Sequence, residues 1–146
     1  MKILIVGSGG REHALAWKAS QSPRVKTVYV APGNAGTAIE DKLTNINLSV
    51  EDIEGLLNFA QQENIDLTII GPEVPLVAGI VDTFQAAGLK CFGPSAKAAQ
   101  LEGSKKFCKD FMARHNIPTA EYQTFTDQDA AINYIQKKGA PIVVKA

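Results

Sequence analysis

Short apolar strands alternate with helical stretches along residues 1–95, and most strands run into a turn rich in glycine or proline. This alternation restricts the fold more than any other feature. Parallel strands need long crossovers, and right-handed helical crossovers cover both faces of one sheet. The pattern predicts strands over 2–6, 25–30 and 66–70, a weaker one over 43–48 and a short one over 89–92. Helices are predicted over 11–20, after Ser49 as N-cap with Asp52 three residues on, and from Pro75 to 87 with Gly88 as the stop. Ile53, Leu56, Leu57 and Ala60 share one face of the second helix. The expectation is an α/β, doubly wound, Rossmann-like parallel sheet.

In such sheets ligands bind beyond the carboxyl ends of the strands. The loops at 7–10, 31–37 and 71–75 each follow a predicted strand, so they are expected to gather at one edge. The first reads Gly7-Ser8-Gly9-Gly10 before a helix. A dinucleotide fingerprint requires a third glycine where this chain has Glu12. It also requires an acid at the end of the second strand, which here reads Val28-Tyr29-Val30-Ala31-Pro32. Both departures argue against a nicotinamide-dependent oxidoreductase, and no Gly-Lys-Ser/Thr supports a P-loop.

Two readings of the turn remain. Helix N-terminal N–H groups favour an anion by roughly 0.3–1 kcal/mol. The Arg11 guanidinium would add about 1.5–3 kcal/mol toward a phosphate. The same residues also suit a plain tight turn with a solvent-facing arginine. The loop "PGNAGT" adds N–H donors and the side chains of Asn34 and Thr37. Glu73 suits sugar hydroxyls or an amine, or simply the start of a helix. Phosphate donors with one acid fit a phosphorylated sugar better than a free anion. His13 is expected to pack or cap, Trp17 to sit in a core or interface, and His115 to favour a helix end.

Lys and Arg together number 15, as do Asp and Glu, so no bulk positive field draws nucleic acid or a membrane surface. No run approaches the roughly 18 apolar residues of a membrane span, and no secretory leader is recognised, so a cytoplasmic protein is expected. Cys91 and Cys108 lack zinc-site spacing and read as two buried free thiols in a reducing compartment. After Ser95 the pattern changes to helices over 96–101 and 104–115, a break at Ile117-Pro118, a strand over 122–125, a helix over 127–138 and a strand from Pro141. A boundary near Gly103 gives domains 1–103 and 104–146. The second is short for an independent core. Its end in "PIVVKA" reads as a piece of a longer protein, with the tail packing on the first domain or on another chain.

Five stretches carry a resemblance: "VGSGGREHALAWK", "VAPGNAGTA", "IIGPEVPLVAGIVD", "FGPSAKAAQLEGSKKF" and "PIVVKA". In this order they resemble the start of the glycinamide ribonucleotide synthetases (phosphoribosylamine–glycine ligases), ATP-grasp enzymes of purine biosynthesis. The resemblance implies a substrate-binding α/β domain followed by the beginning of an ATP-grasp domain. It implies ligation of glycine to 5-phosphoribosylamine through a glycyl phosphate, with ATP and magnesium, or manganese in its place. By matching motif, Gly9, Gly10, Arg11 and Glu12 would line the phosphate or ribose, joined by Asn34, Gly36 and Thr37 and by Gly71, Pro72 and Glu73. Lys105 and Lys145 resemble the ATP-facing lysines, although as residues alone they read as surface lysines. Neither catalytic residues nor metal ligands are expected within 1–146, so this piece is expected to be inactive alone. The full-length protein is expected to be a monomer, and the fragment to be open to self-association. The alternatives are another purine-pathway ATP-grasp ligase, disfavoured by the pairing of "GGREHA" with "PGNAG", and a non-catalytic nucleotide-binding module.

Overall fold

The computed structural model describes residues 1–145. They divide into two compact units, Met1–Ser104 and a second from Lys105 onward. In the first, strands β1 (Lys2–Gly7), β2 (Thr27–Pro32), β3 (Leu43–Asn45), β4 (Leu67–Ile70) and β5 (Cys91–Phe92) form one parallel sheet. Its order is β3-β2-β1-β4-β5. The chain winds outward from β1 through β2 to β3, then crosses to the other side of β1 for β4 and β5. The reversal between β1 and β4 is the switch point at which doubly wound sheets hold ligands.

The core follows from the two-residue period of β1. Ile3 and Ile5 face one side, where they join Val28, Val30, Leu43 and Ala16 of helix α1 (Gly10–Ser20). Leu4 and Val6 face the other. There they meet Leu56 and Ala60 of α2 (Ile53–Gln62), Leu76 of α3 (Glu73–Val77), Ile80, Val81 and Phe84 of α4 (Ile80–Ala86), and Ala99 of α5 (Ala96–Gly103). Each fully buried aliphatic side chain contributes about 1.5–3 kcal/mol.

Several local expectations need correction. Asp52, not Ser49, caps α2, because its Oδ1 accepts the Gly55 N–H at 2.9 Å. Ser49 instead turns the chain just before, its carbonyl accepting the Asp52 N–H. The helix expected from Pro75 to 87 is two helices, separated at Gly79, whose φ of 91° lies outside helical space. The third strand stops at Asn45 rather than 48. Trp17 is 47% exposed and belongs to no core. The cysteines are free but half-buried, and burial pushes the Cys91 thiol up to about 11.

The second unit contains α6 (Lys105–Arg114) and α7 (Gln128–Lys138). No strand forms over 122–125 or from Pro141 among its described residues, because a strand needs a partner ladder to satisfy its backbone. Side chains hold the 119–125 segment instead. Lys109 Nζ donates to Thr119 Oγ1 at 2.7 Å, Tyr122 donates to Asp110 at 2.6 Å, and Lys138 pairs with Glu121.

At the amino edge of the sheet Lys2 Nζ lies 2.9 Å from Glu63 Oε2, which also accepts the Tyr29 hydroxyl at 3.0 Å. Hydrogen bonds from Lys2 and then Tyr29 hold the Glu63 carboxyl below its ordinary value of 4.5. A depressed folded value stabilises above the ordinary one and loses that stability as pH falls through the folded value. The contribution is modest, since both side chains are over a third exposed. Glu63→Gln is expected to lower stability slightly at neutral pH and to flatten the fall in stability on acidification, so that the two proteins converge at low pH. Parallel acid limbs in pH-dependent urea unfolding would refute this role.

Candidate functional site

The turn after β1 is built around a carboxylate. Glu12 is the third residue of α1, so its side chain can reach back over the N-terminal turn, and Oε2 accepts the Gly9 N–H at 2.7 Å. The residue is only 4% exposed. Its carboxyl group lies against three glycines from two loops. A Cβ at Gly9 would stand 2.8 Å from Oε2, and one at Gly7 would stand 2.7 Å from Cδ and closer still to Cγ. A Cβ at Gly71, just past β4, would meet Oε1, Cγ and Cδ together. Gly7 also has φ of 138°, which side-chain-bearing residues rarely adopt. These glycines therefore make room for Glu12 itself. Its other oxygen, Oε1, has no hydrogen-bond partner among the described residues, and Arg11 Nε lies 4.0 Å away.

The loop after β2 is fastened to the first one. Gly33 donates its N–H to the Gly7 carbonyl at 3.2 Å, and Asn34 Nδ2 donates to the Ser8 carbonyl at 2.8 Å. Asn34 Oδ1 accepts the Thr37 N–H, while Thr37 Oγ1 accepts the Asn34 N–H and donates to Asn45 Oδ1 at 2.7 Å. Thr37 is wholly buried, so its hydroxyl shapes the loop from inside. Gly36 lies against the His13 ring, where a Cβ would stand 2.6 Å from Cε1. In the third loop Pro72 caps α3, and Glu73 opens it in an exposed position.

The carboxyl edge thus gathers Gly9, Gly10, Arg11, Glu12, Asn34, Gly36, Thr37, Gly71, Pro72 and Glu73. The outward groups are the Gly10 and Arg11 N–H groups, which have no acceptor within the helix, the 70% exposed Arg11 side chain, and Glu73. Lys105 begins α6, and Lys145 is exposed in an irregular segment, not a charge inside an apolar strand.

Sequence reasoning passed over Asn45 and Glu40. Asn45 closes the second loop by donating Nδ2 to the Asn34 carbonyl at 2.8 Å. His13 Nε2 lies 3.2 Å from Glu40 Oε1 and helps line a shallow hollow of about 300 Å³ with Gly10, Ala14, Trp17 and Glu40. An asparagine ending a strand beside a glycine-rich loop was the available signal for the first. Glu40 carried none, because only tertiary folding brings it to His13.

Residues 1–102 match the family model described as phosphoribosylglycinamide synthetase, N domain, and residues 103–146 match the ATP-grasp (A) domain of the same synthetase. The chain belongs to the phosphoribosylglycinamide synthetase family. Over all 146 residues it is 69% identical to the phosphoribosylamine–glycine ligase of Escherichia coli strain K12 and 66% identical to that of Yersinia pestis. It spans 34% of the length of each.

Solved structures with low identity share the fold. A phosphoribosylglycinamide synthetase from Anaerococcus prevotii superposes with a TM-score of 0.60 at 18% identity, covering 99% of this chain and 36% of that one. The biotin carboxylase domain of Hydrogenobacter thermophilus 2-oxoglutarate carboxylase, in complex with MgADP and bicarbonate, gives 0.66 at 18% identity, covering 96% and 33%. In this chain the carboxyl edge offers one guanidinium, first-turn amides and an outward carboxylate. That set suits a ligand with an anionic end and hydrogen-bond donors. No group of three His, Cys, Asp or Glu side chains suited to a metal occurs among the described residues, and no helix there is long and apolar enough to cross a membrane.

Proposed function

We propose that the chain is the amino-terminal portion of a cytoplasmic phosphoribosylamine–glycine ligase, and that its first unit holds 5-phosphoribosylamine at the carboxyl edge of the sheet. The observation that carries this is the 69% identity over the whole chain to a ligase of that name, with both family models matched in order. In the reaction, ATP phosphorylates the glycine carboxylate, which is otherwise a poor electrophile. The ribosylamine nitrogen then attacks the acyl phosphate, expelling phosphate and forming the amide. Arg11 and the first amides of α1 would take the substrate phosphate, and Glu73 would accept hydrogen bonds from its amine or hydroxyls. Asn34, Gly36, Gly71 and Pro72 would shape the walls. Thr37, being buried, would act by holding Asn34.

Lys105 and Lys145 would face the ATP phosphates, neutralising charge on the transferring group. ATP-grasp chemistry implies magnesium or manganese beside those phosphates. The residues named here would bind and orient the substrates.

A chimera tests the proposal: residues 1–146 replacing the matching segment of the Escherichia coli ligase. It is expected to form glycinamide ribonucleotide from ATP, glycine and phosphoribosylamine. Arg11→Ala in that chimera removes a charge-assisted contact worth about 1.5–3 kcal/mol. It is expected to raise KM for phosphoribosylamine about tenfold or more, with kcat changed much less. A folded but inactive chimera would refute the proposal, and an unchanged KM would remove Arg11 from the site.

A further inference from the structure

In a doubly wound sheet, the crevice at the switch point and the first amides of the following helix form the seat for a ligand's pyrophosphate. Here that seat is already filled. The Glu12 carboxylate lies between the β1 and β4 loops, in contact range of Gly7, Gly9 and Gly71. It has taken the Gly9 N–H. It is nearly solvent-free, and its Oε1 accepts no hydrogen bond among the described residues, with Arg11 Nε 4.0 Å away. A buried negative charge at this point acts twice on a phosphorylated ligand. It fills the space an inner phosphate would need, and it repels any anion that approaches past the helix end. Outside it stand the Arg11 guanidinium and the exposed Gly10, which would receive an anion held further out.

We propose that Glu12 is a specificity-determining residue: its carboxylate serves as an internal anion that closes the pyrophosphate seat and limits this edge to ligands ending in a single phosphate. The inference rests on the phosphosugar reading given above. It assigns Glu12 a role distinct from direct contact with the substrate. The same change of glycine to glutamate that removes a dinucleotide fingerprint from the sequence thereby excludes the dinucleotide physically.

Two probes sharing one ribose test this. Ribose 5-phosphate carries a single phosphate, whereas ADP-ribose carries a pyrophosphate on the same 5-carbon. Each is titrated into the 146-residue chain, with dissociation constants read from the Gly10 and Arg11 amide signals. The wild type is expected to bind ADP-ribose at least tenfold more weakly than ribose 5-phosphate. Glu12→Gln keeps the shape and an acceptor for the Gly9 N–H while removing the charge, and it is expected to narrow that ratio at least fivefold. Glu12→Ala, which also empties the space, should narrow it further. A wild type that binds both probes equally, or a ratio unchanged in both variants, overturns the inference and leaves the phosphosugar site standing. Failure of ribose 5-phosphate to move those amides in the wild type overturns the site itself, and the inference with it.

Discussion

Gly71→Ala is expected to destabilise the first unit by about 2–5 kcal/mol, although the residue is not in a strained backbone conformation. The new methyl would overlap Oε1, Cγ and Cδ of Glu12. Overpacking of this kind typically costs about 1–3 kcal/mol. Moving the carboxylate also loosens its bond to the Gly9 N–H, a charge-assisted contact worth about 1.5–3 kcal/mol. The collision is with one side chain, so its removal should relieve it. In a Glu12→Ala background, Gly71→Ala is expected to cost less than about 1 kcal/mol, a coupling of the size seen between directly contacting residues. Urea unfolding of the four proteins in this cycle checks the result. Equal costs in both backgrounds would show that the carboxylate does not lie between the two loops.

Phe84→Ala is expected to lose about 3–5 kcal/mol. Phe84 is fully buried on α4, packed in the cluster that includes Leu4, Val6, Leu56, Ile70 and Val81. Deleting its ring leaves a cavity walled by the central strand and by α2, neither of which can collapse without disturbing the sheet. Domains of this size have total stabilities of about 5–15 kcal/mol, so the variant would be marginal. Phe92 is the control. It lies on the edge strand β5 at 70% exposure, so Phe92→Ala should cost less than about 1 kcal/mol. Far-UV circular dichroism in urea separates the two, and similar midpoints would contradict the assigned core.

Much of this was legible in the sequence. Apolar runs at β1 and β4 and the Gly/Pro turns after them report strands buried on both faces, because both faces of a parallel sheet are covered. The edge location of three loops followed from strand direction alone. Signals that rest on tertiary partners were not legible. Asp52 and Ser49 are both good caps, and only the path of the chain entering α2 selects Asp52. The segments at 122–125 and after Pro141 have the composition of strands, but strand formation depends on a neighbour that composition does not describe.

The glycine turn shows the difference most plainly. Three glycines near a helix start announce a close approach of something to the backbone. The sequence pointed outward, to a ligand, whereas Gly7, Gly9 and Gly71 first accommodate Glu12. Likewise Asn34 and Thr37 read as ligand-facing polar groups, yet their side chains are joined to each other, to Ser8 and to Asn45. Arg11 and Glu73 alone among the charged edge residues extend outward, and the proposed substrate contacts rest on them.

Titration of ribose 5-phosphate into the isotope-labelled chain, followed at backbone amides, tests most directly whether the carboxyl edge holds a phosphosugar. Saturable shifts are expected at Gly10, Arg11, Gly36 and Gly71 on the carboxyl edge, with Lys2 and Asp66 at the opposite edge unmoved. Absence of saturable shifts at the carboxyl edge, or shifts confined to the amino edge, would contradict it.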